Sequence, residues 1–187
     1  SASGLIFKRI TEGTGPAPKK NDTVTVHYTG WRQNGETFFS TRTKGPGGRP
    51  VPMALFHTAP GLAEAILMMK KGEKAMLWVP PEIGYRGKPQ GGAGETLVYE
   101  IEVLEIESGP EAPADASAPA PDAKKTARGV SYKSLAAGTG KEKPALYDIA
   151  TINYTGWDAS GKLIDTTQTR RQPRPATLFR EPPGLAD

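Results

Sequence analysis

From Val24 to Thr29 apolar and polar side chains alternate, with Val24, Val26 and Tyr28 set against Thr25, His27 and Thr29. A period of two is that of a strand buried on one face. Gln33-Asn34-Gly35 predicts a hairpin turn, because Asn and Gly accept positive φ, and Phe38 to Thr41 is the return strand. Gly61 to Met69 (GLAEAILMM) predicts the helix of this region, about two turns of strong helix formers. Lys70-Lys71-Gly72 closes it with cations and then glycine. Glu73 to Val79 predicts a strand stopped by Pro80-Pro81. Leu97, Tyr99, Ile101 and Val103 alternate with Val98, Glu100 and Glu102 in a last strand. The pattern predicts an α+β fold, an antiparallel curved sheet wrapped around one short α-helix.

The pattern then breaks. Gly109 to Lys125 (GPEAPADASAPAPDAKK) holds no aromatic or β-branched residue and cannot offset its ordering entropy by burial. Alternating Ala and Pro predict a semi-extended spacer. Motifs from before it recur after it. Gly13-Thr14-Gly15 returns as Gly138-Thr139-Gly140, and Val26-His27-Tyr28-Thr29-Gly30-Trp31 as Ile152-Asn153-Tyr154-Thr155-Gly156-Trp157. Leu55-Phe56 and Pro60-Gly61-Leu62-Ala63 return as Leu178-Phe179 and Pro183-Gly184-Leu185-Ala186. The expected organisation is a domain over 4–107, a linker over 109–128, and the N-terminal part of a duplicated domain over 129–187.

Composition narrows the chemistry. Of 187 residues, 36% are hydrophobic and 24% charged, which suits a soluble globular chain. Twenty-two glycines and 18 prolines exclude a helical bundle. With no cysteine there is no disulfide, thiolate metal site or cysteine nucleophile. With two histidines, His27 and His57, a histidine-rich metal site is excluded, and no metal or cofactor is expected. The net charge of +4 is scattered rather than striped, so no nucleic-acid partner is expected. The longest apolar run, Ala75 to Val79, is far below the roughly 20 residues of a helical span, so no membrane partner is expected either. No leader is visible, and the compartment is left open between cytoplasmic and extracytoplasmic. Gly45 to Gly48 and Gly91 to Gly94 lack the Lys-Ser/Thr of a phosphate loop, and no Gly-x-Ser-x-Gly elbow occurs.

In order and spacing, the motifs resemble the FKBP family of peptidyl-prolyl cis-trans isomerases. They are Gly13-Thr14-Gly15, Val26 to Gly30, Gly35-Glu36-Thr37-Phe38, Met69 to Lys74, Val79 to Tyr85 and Thr96 to Glu100. Gly129 to Lys133 looks like a second opening of the same kind. The resemblance implies a rotamase and folding helper acting on Xaa-Pro bonds of proline-containing peptides or unfolded clients. It also implies a proline pocket between sheet and helix. Rotation of a prolyl amide is opposed by ~18–20 kcal/mol and makes or breaks no bond, so no nucleophile is needed. A dry apolar pocket that favours the twisted amide is sufficient.

By this resemblance Tyr28, Phe38 and Tyr99 are catalytic pocket walls, and Tyr85 is a hydroxyl donor to a substrate or macrolide carbonyl. Val51 and Met53 stand where the family has Phe before the helix. Thr58 and Ala59 stand near a Val-Ile pair whose backbone N–H contacts ligand. Three departures are expected to weaken activity. Phe39 replaces the pocket Asp, Leu62 replaces the Trp at the helix start, and Gln90 to Gly94 replaces an apolar Ile-Pro-Pro rim. The second copy pairs Tyr154 with Asp165 and carries Leu185 at the Trp position. Alternation places Phe39 opposite to Phe38, where it would cover the pocket or pack beneath a loop. Tyr28 and Tyr99 read equally as core aromatics, and a non-catalytic FKBP-like protein-binding or chaperone module is the alternative function.

Overall fold

A computed structural model of the chain describes residues 1–43, 47–84, 94–170 and 172–180. They form two compact units, Ser1–Pro110 and Glu111–Asp187. Among the described residues no helix is long and apolar enough to cross a membrane.

In the first unit the strands are β1 (Ile6–Thr11), β2 (Thr23–Trp31), β3 (Thr37–Ser40), β4 (Val51–Ala54), β5 (Lys74–Val79) and β6 (Leu97–Glu107). They form one antiparallel sheet in the order β1-β5-β6-β2-β3, with β4 paired to the start of β2. Alternation along β6 is complete: Leu97, Tyr99, Ile101 and Val103 are buried and the residues between them half-buried. Opposite them across the ladder lie Leu77, Ala75 and Val26. The helix α1 (Pro60–Leu67) lays Leu62, Ala65 and Ile66 into the same core.

The helix begins one residue before the expected Gly61, at Pro60, whose missing N–H costs nothing at that position. It ends two residues before the expected Met69. Met68 and Met69 instead donate to carbonyls three residues back, Ala65 and Ile66, tightening the last turn. The turn after it is built around Glu73, which is 1% exposed. Its carboxylate accepts from the Lys70 N–H at 3.1 Å and from Arg9 Nε at 2.7 Å. That hydrogen bond, and the negative charge behind it, hold the Arg9 guanidinium above its ordinary value. The Gly13-Thr14-Gly15 motif docks here. The Thr14 N–H donates to the Lys71 carbonyl at 2.8 Å, and a Cβ on Gly13 would lie 2.6 Å from that same oxygen.

The strand β1 has no counterpart in the alternation reading. Its Ile6 and Ile10 are 61% and 50% exposed, and Phe7 between them packs against the core, so its apolar residues do not share one buried face.

In the second unit β9 (Ile149–Ile152) pairs with β12 (Arg174–Thr177), and β10 (Thr155–Trp157) with β11 (Leu163–Thr166). The strands β7 (Lys124–Lys125) and β8 (Ser131–Tyr132), two residues each, pair antiparallel. Several of its hydrogen bonds match those of the first unit at corresponding residues. Thr41 Oγ1 accepts the Tyr28 N–H at 3.0 Å, and Thr167 Oγ1 accepts the Tyr154 N–H at 3.0 Å. The hydroxyl pair Thr29–Ser40, at 2.9 Å, matches Thr155–Thr166 at 2.9 Å. The turn bonds Asp22 N–H to Lys19 carbonyl and Asp148 N–H to Ala145 carbonyl are both 3.0 Å. Burial differs: among the described residues of this unit only Leu163 and Ala176 are buried hydrophobics, while Leu135, Tyr147 and Ile149 are 92%, 76% and 68% exposed.

Candidate functional site

The strand β2 carries Tyr28 and Gly30 on the face that holds Val24 and Val26, so Tyr28 is half-buried beside the core. Gly30 stands opposite Tyr99 on β6 and opposite Phe39 on β3. Glycine is required there, because a Cβ would lie 2.5 Å from the Phe38 ring and 3.0 Å from the Tyr99 ring. Removing that carbon lets three strands bring their rings together. Phe38 meets Tyr99 edge-on at 5.8 Å and 89°, and Tyr28 lies 6.4 Å from Tyr99.

Phe39 corrects the alternation reading. The pairing of β2 with β3 slips between Gly30 and Trp31, so that Phe38 is an extra residue between the Thr37 and Phe39 pairs. The bulge cancels the expected reversal of side. Phe39 stacks on Tyr28 at 4.8 Å with planes 19° apart.

Beneath the rings lies apolar packing. Tyr99 and Leu62 are each 1% exposed and belong to the continuous core. Val51 and Met53, paired with Val26 and Val24 across β4, are half-buried against that core. Leu62 is set by its neighbour Gly61, whose N–H donates to the Ile83 carbonyl at 2.7 Å and whose Cβ would collide with Val79.

Thr58 and Ala59 connect the 3₁₀ turn Leu55–His57 to α1. The Thr58 N–H is already used, donating to the Leu55 carbonyl at 3.2 Å, and its hydroxyl donates to the Ala54 carbonyl at 2.8 Å. Of this pair the Ala59 N–H is the one with no acceptor among the described residues. Tyr85 and Leu185 lie outside the described residues. In the second unit the Tyr154 hydroxyl donates to Asp165, and the Arg174 guanidinium lies 5.8 Å from the Tyr154 ring centre.

Two residues at the rim were not legible in the sequence. The Arg32 guanidinium lies 5.9 Å from the Phe38 ring centre and donates to Glu95 at 2.8 Å. Their separation of 63 positions leaves no local signal. Among the described residues no group of His, Asp and Glu could hold a metal ion. The arrangement offers an aromatic and aliphatic surface, suited to a planar apolar ring, and α1 opens on the Ala59 backbone donor, suited to an amide carbonyl.

Known proteins carry the same pattern. A family model described as FKBP-type peptidyl-prolyl cis-trans isomerase matches residues 15–104. The isomerase FkpA of Escherichia coli strain K12 is 36% identical over 129 residues, 67% of this chain and 47% of that protein. FK506-binding protein 1 of Aspergillus oryzae is 36% identical over 114 residues, 55% of this chain and 98% of that protein. The crystal structure of FkpA from Escherichia coli superposes with a TM-score of 0.55 at 36% identity, covering 59% of this chain and 51% of that one. A peptidyl-prolyl cis-trans isomerase from Pseudomonas syringae superposes at 0.51 with 29% identity, over 57% and 78%. The chain thus spans about half the length of the FkpA proteins it matches. With a relative 36% identical matched over 98% of its length, this chain belongs to the FKBP-type peptidyl-prolyl cis-trans isomerase family.

Proposed function

We propose that the chain catalyses cis-trans isomerisation of Xaa-Pro bonds in peptides and unfolded protein clients, at low efficiency. The observation that carries this is the ring cluster of Tyr28, Phe38, Phe39 and Tyr99 beside the Leu62 floor. A proline ring set against such a surface leaves water, and the amide loses the solvation that favours its planar form. The Ala59 N–H is the candidate donor that orients a substrate carbonyl, and Val51 and Met53 extend the apolar wall. Tyr85 as a hydroxyl donor rests on its motif alone. Low efficiency follows from Phe39 and Leu62, which offer neither a carboxylate nor an indole to the bound amide.

The second unit is proposed as a further copy of the same fold. The shared hydrogen bonds of Tyr28–Thr41 and Tyr154–Thr167 support this. Tyr154 and Asp165 are its candidate site residues.

A protease-coupled assay with peptides varied before proline tests the activity. Acceleration that falls in Tyr28→Ala and Phe38→Ala is the expected result. The stack of Phe39 on Tyr28 also favours a second reading, a peptide-binding module without catalysis. Peptide binding without acceleration would replace the first reading with this one.

A further inference from the structure

Arg32 follows the last residue of β2, where the hairpin to β3 begins. Three contacts converge on it. Its Nη1 donates to Glu95 Oε1 at 2.8 Å, its Nε lies 3.8 Å from Glu36, and its guanidinium lies 5.9 Å from the centre of the Phe38 ring. The other oxygen of Glu95 accepts the Gln33 N–H at 3.3 Å. One carboxylate, two residues before β6, therefore grips both the side chain of Arg32 and the backbone of the hairpin.

Phe38 needs such a constraint. It is the extra residue of a bulge, so the regular ladder does not fix its direction. On one side it meets the Tyr99 edge, and below it lies the open α-carbon of Gly30. The Arg32 guanidinium lies over the ring as well, and a cation binds a ring face by its quadrupole. Arg32 and Glu95 are each 25% exposed, which leaves their attraction only partly screened by water.

We infer that Arg32, held by Glu95, is a positioning residue that orients the Phe38 ring for proline binding. This deepens the proposed isomerase reading and rests on it for its kinetic consequence. The same pair ties the start of β6 to the β2–β3 hairpin, so the two strands that carry Phe38 and Tyr99 keep a fixed spacing.

The test uses the full chain with Arg32→Met, Arg32→Lys and Glu95→Gln, and reads isomerase kinetics together with the aromatic proton signals of Phe38. Arg32→Met is expected to raise KM roughly five- to tenfold, with Arg32→Lys intermediate because it keeps a cation over the ring. Glu95→Gln should act in the same direction, and adding it to Arg32→Met should cost less than the sum of the two. A merely structural loss would lower the active fraction and leave KM alone. The Phe38 ring signals should shift in Arg32→Met and less in Arg32→Lys. KM within about twofold of the parent in Arg32→Met, or unchanged ring signals, would overturn the inference. If the parent chain shows no isomerase activity, the proposed function falls while the ring signals still decide whether Arg32 orients Phe38.

Discussion

Phe39 lies nearly flat on Tyr28, with ring centres 4.8 Å apart and planes 19° from parallel. At the matching place of the second unit Asp165 accepts a hydrogen bond from the Tyr154 hydroxyl. One backbone pattern thus presents either a stacked ring or a carboxylate to its tyrosine. Phe39→Asp should therefore exchange a stacking contact worth about 0.5–1.5 kcal/mol for a hydrogen bond to the Tyr28 hydroxyl. Combined with Leu62→Trp it should raise activity or macrolide affinity more than the two single changes together. Coupling between neighbours runs to about 0.5–3 kcal/mol. Strict additivity in the four-variant kinetic cycle would place the two residues in separate environments.

Arg9 and Glu73 give a second expectation. Glu73 is buried and Arg9 is its charged partner at 2.7 Å. Removing the partner leaves a carboxylate with one backbone donor, so Arg9→Met should destabilise the chain. Because Arg9 is 45% exposed, water replaces part of what is lost, and the cost should be smaller than that of breaking a fully buried pair. Glu73→Gln keeps an acceptor for the Lys70 N–H and removes the stranded charge. The double variant should then be less destabilised than Arg9→Met. Urea midpoints at equal m decide the order.

The two Gly-Thr-Gly motifs should respond differently to the same change. At Gly13 a Cβ would sit 2.6 Å from the Lys71 carbonyl oxygen and 2.9 Å from Glu73, so Gly13→Ala must push the Lys71–Glu73 turn away. A cost of about 1–3 kcal/mol is expected, as for other overpacked sites. At Gly138 a Cβ would meet nothing within 4 Å among the described residues, and Gly138→Ala should change stability by less than about 0.5 kcal/mol. Equal effects in thermal unfolding would mean that the motif does not act by docking on the helix end.

These positions also show what the sequence could reveal. Val24, Val26, Leu97, Tyr99, Ile101 and Val103 were legible because each lies on a strand with one face wholly buried. The helix was legible by composition, though not its last turn, which tightens for the sake of a carboxylate at Glu73. The strand β1 was hidden because Ile6 and Ile10 face water. The side taken by Phe39 depends on a bulge, which no alternation count contains. The structure brings the rings of Tyr28, Phe38 and Tyr99 together, and the bulge sets Phe39 on Tyr28. The Arg32–Glu95 pair was missed because only the closed sheet brings those residues together.

The hairpin turn of the second unit carries a pH dependence. Asp158 Oδ1 accepts from the Ser160 hydroxyl at 2.6 Å, the Ser160 N–H at 2.9 Å and the Lys162 N–H at 3.0 Å. Chiefly the Ser160 hydroxyl, then the Lys162 N–H, hold its carboxyl below the ordinary value. A depressed carboxyl stabilises the folded turn above the unfolded value near 3.9, and that contribution fades as pH falls through the lower folded value. The Ser160 and Lys162 amide signals should titrate together in acid, and Asp158→Asn should abolish that transition. Transitions centred above the unfolded value would reverse the sign.

The final expectation concerns where the chain opens. In the first unit Ile101 on β6 is flanked by Ala75 on β5 and Tyr28 on β2, so its strand is bonded on both edges and covered by the helix. In the second unit, among the described residues, each of β9 to β12 pairs on one edge alone, and two buried hydrophobics, Leu163 and Ala176, stand where the first unit has a continuous core. A two-stranded sheet without a covering layer is marginal in water. Amide exchange measured on the full chain should therefore be slow at Tyr99, Ile101 and Val103, near the limit set by global unfolding. It should be faster by orders of magnitude at Ile149–Ile152 and Leu163–Thr166, which open locally. Equal protection in the two units would show that the second unit closes its core in a way that the described residues do not account for.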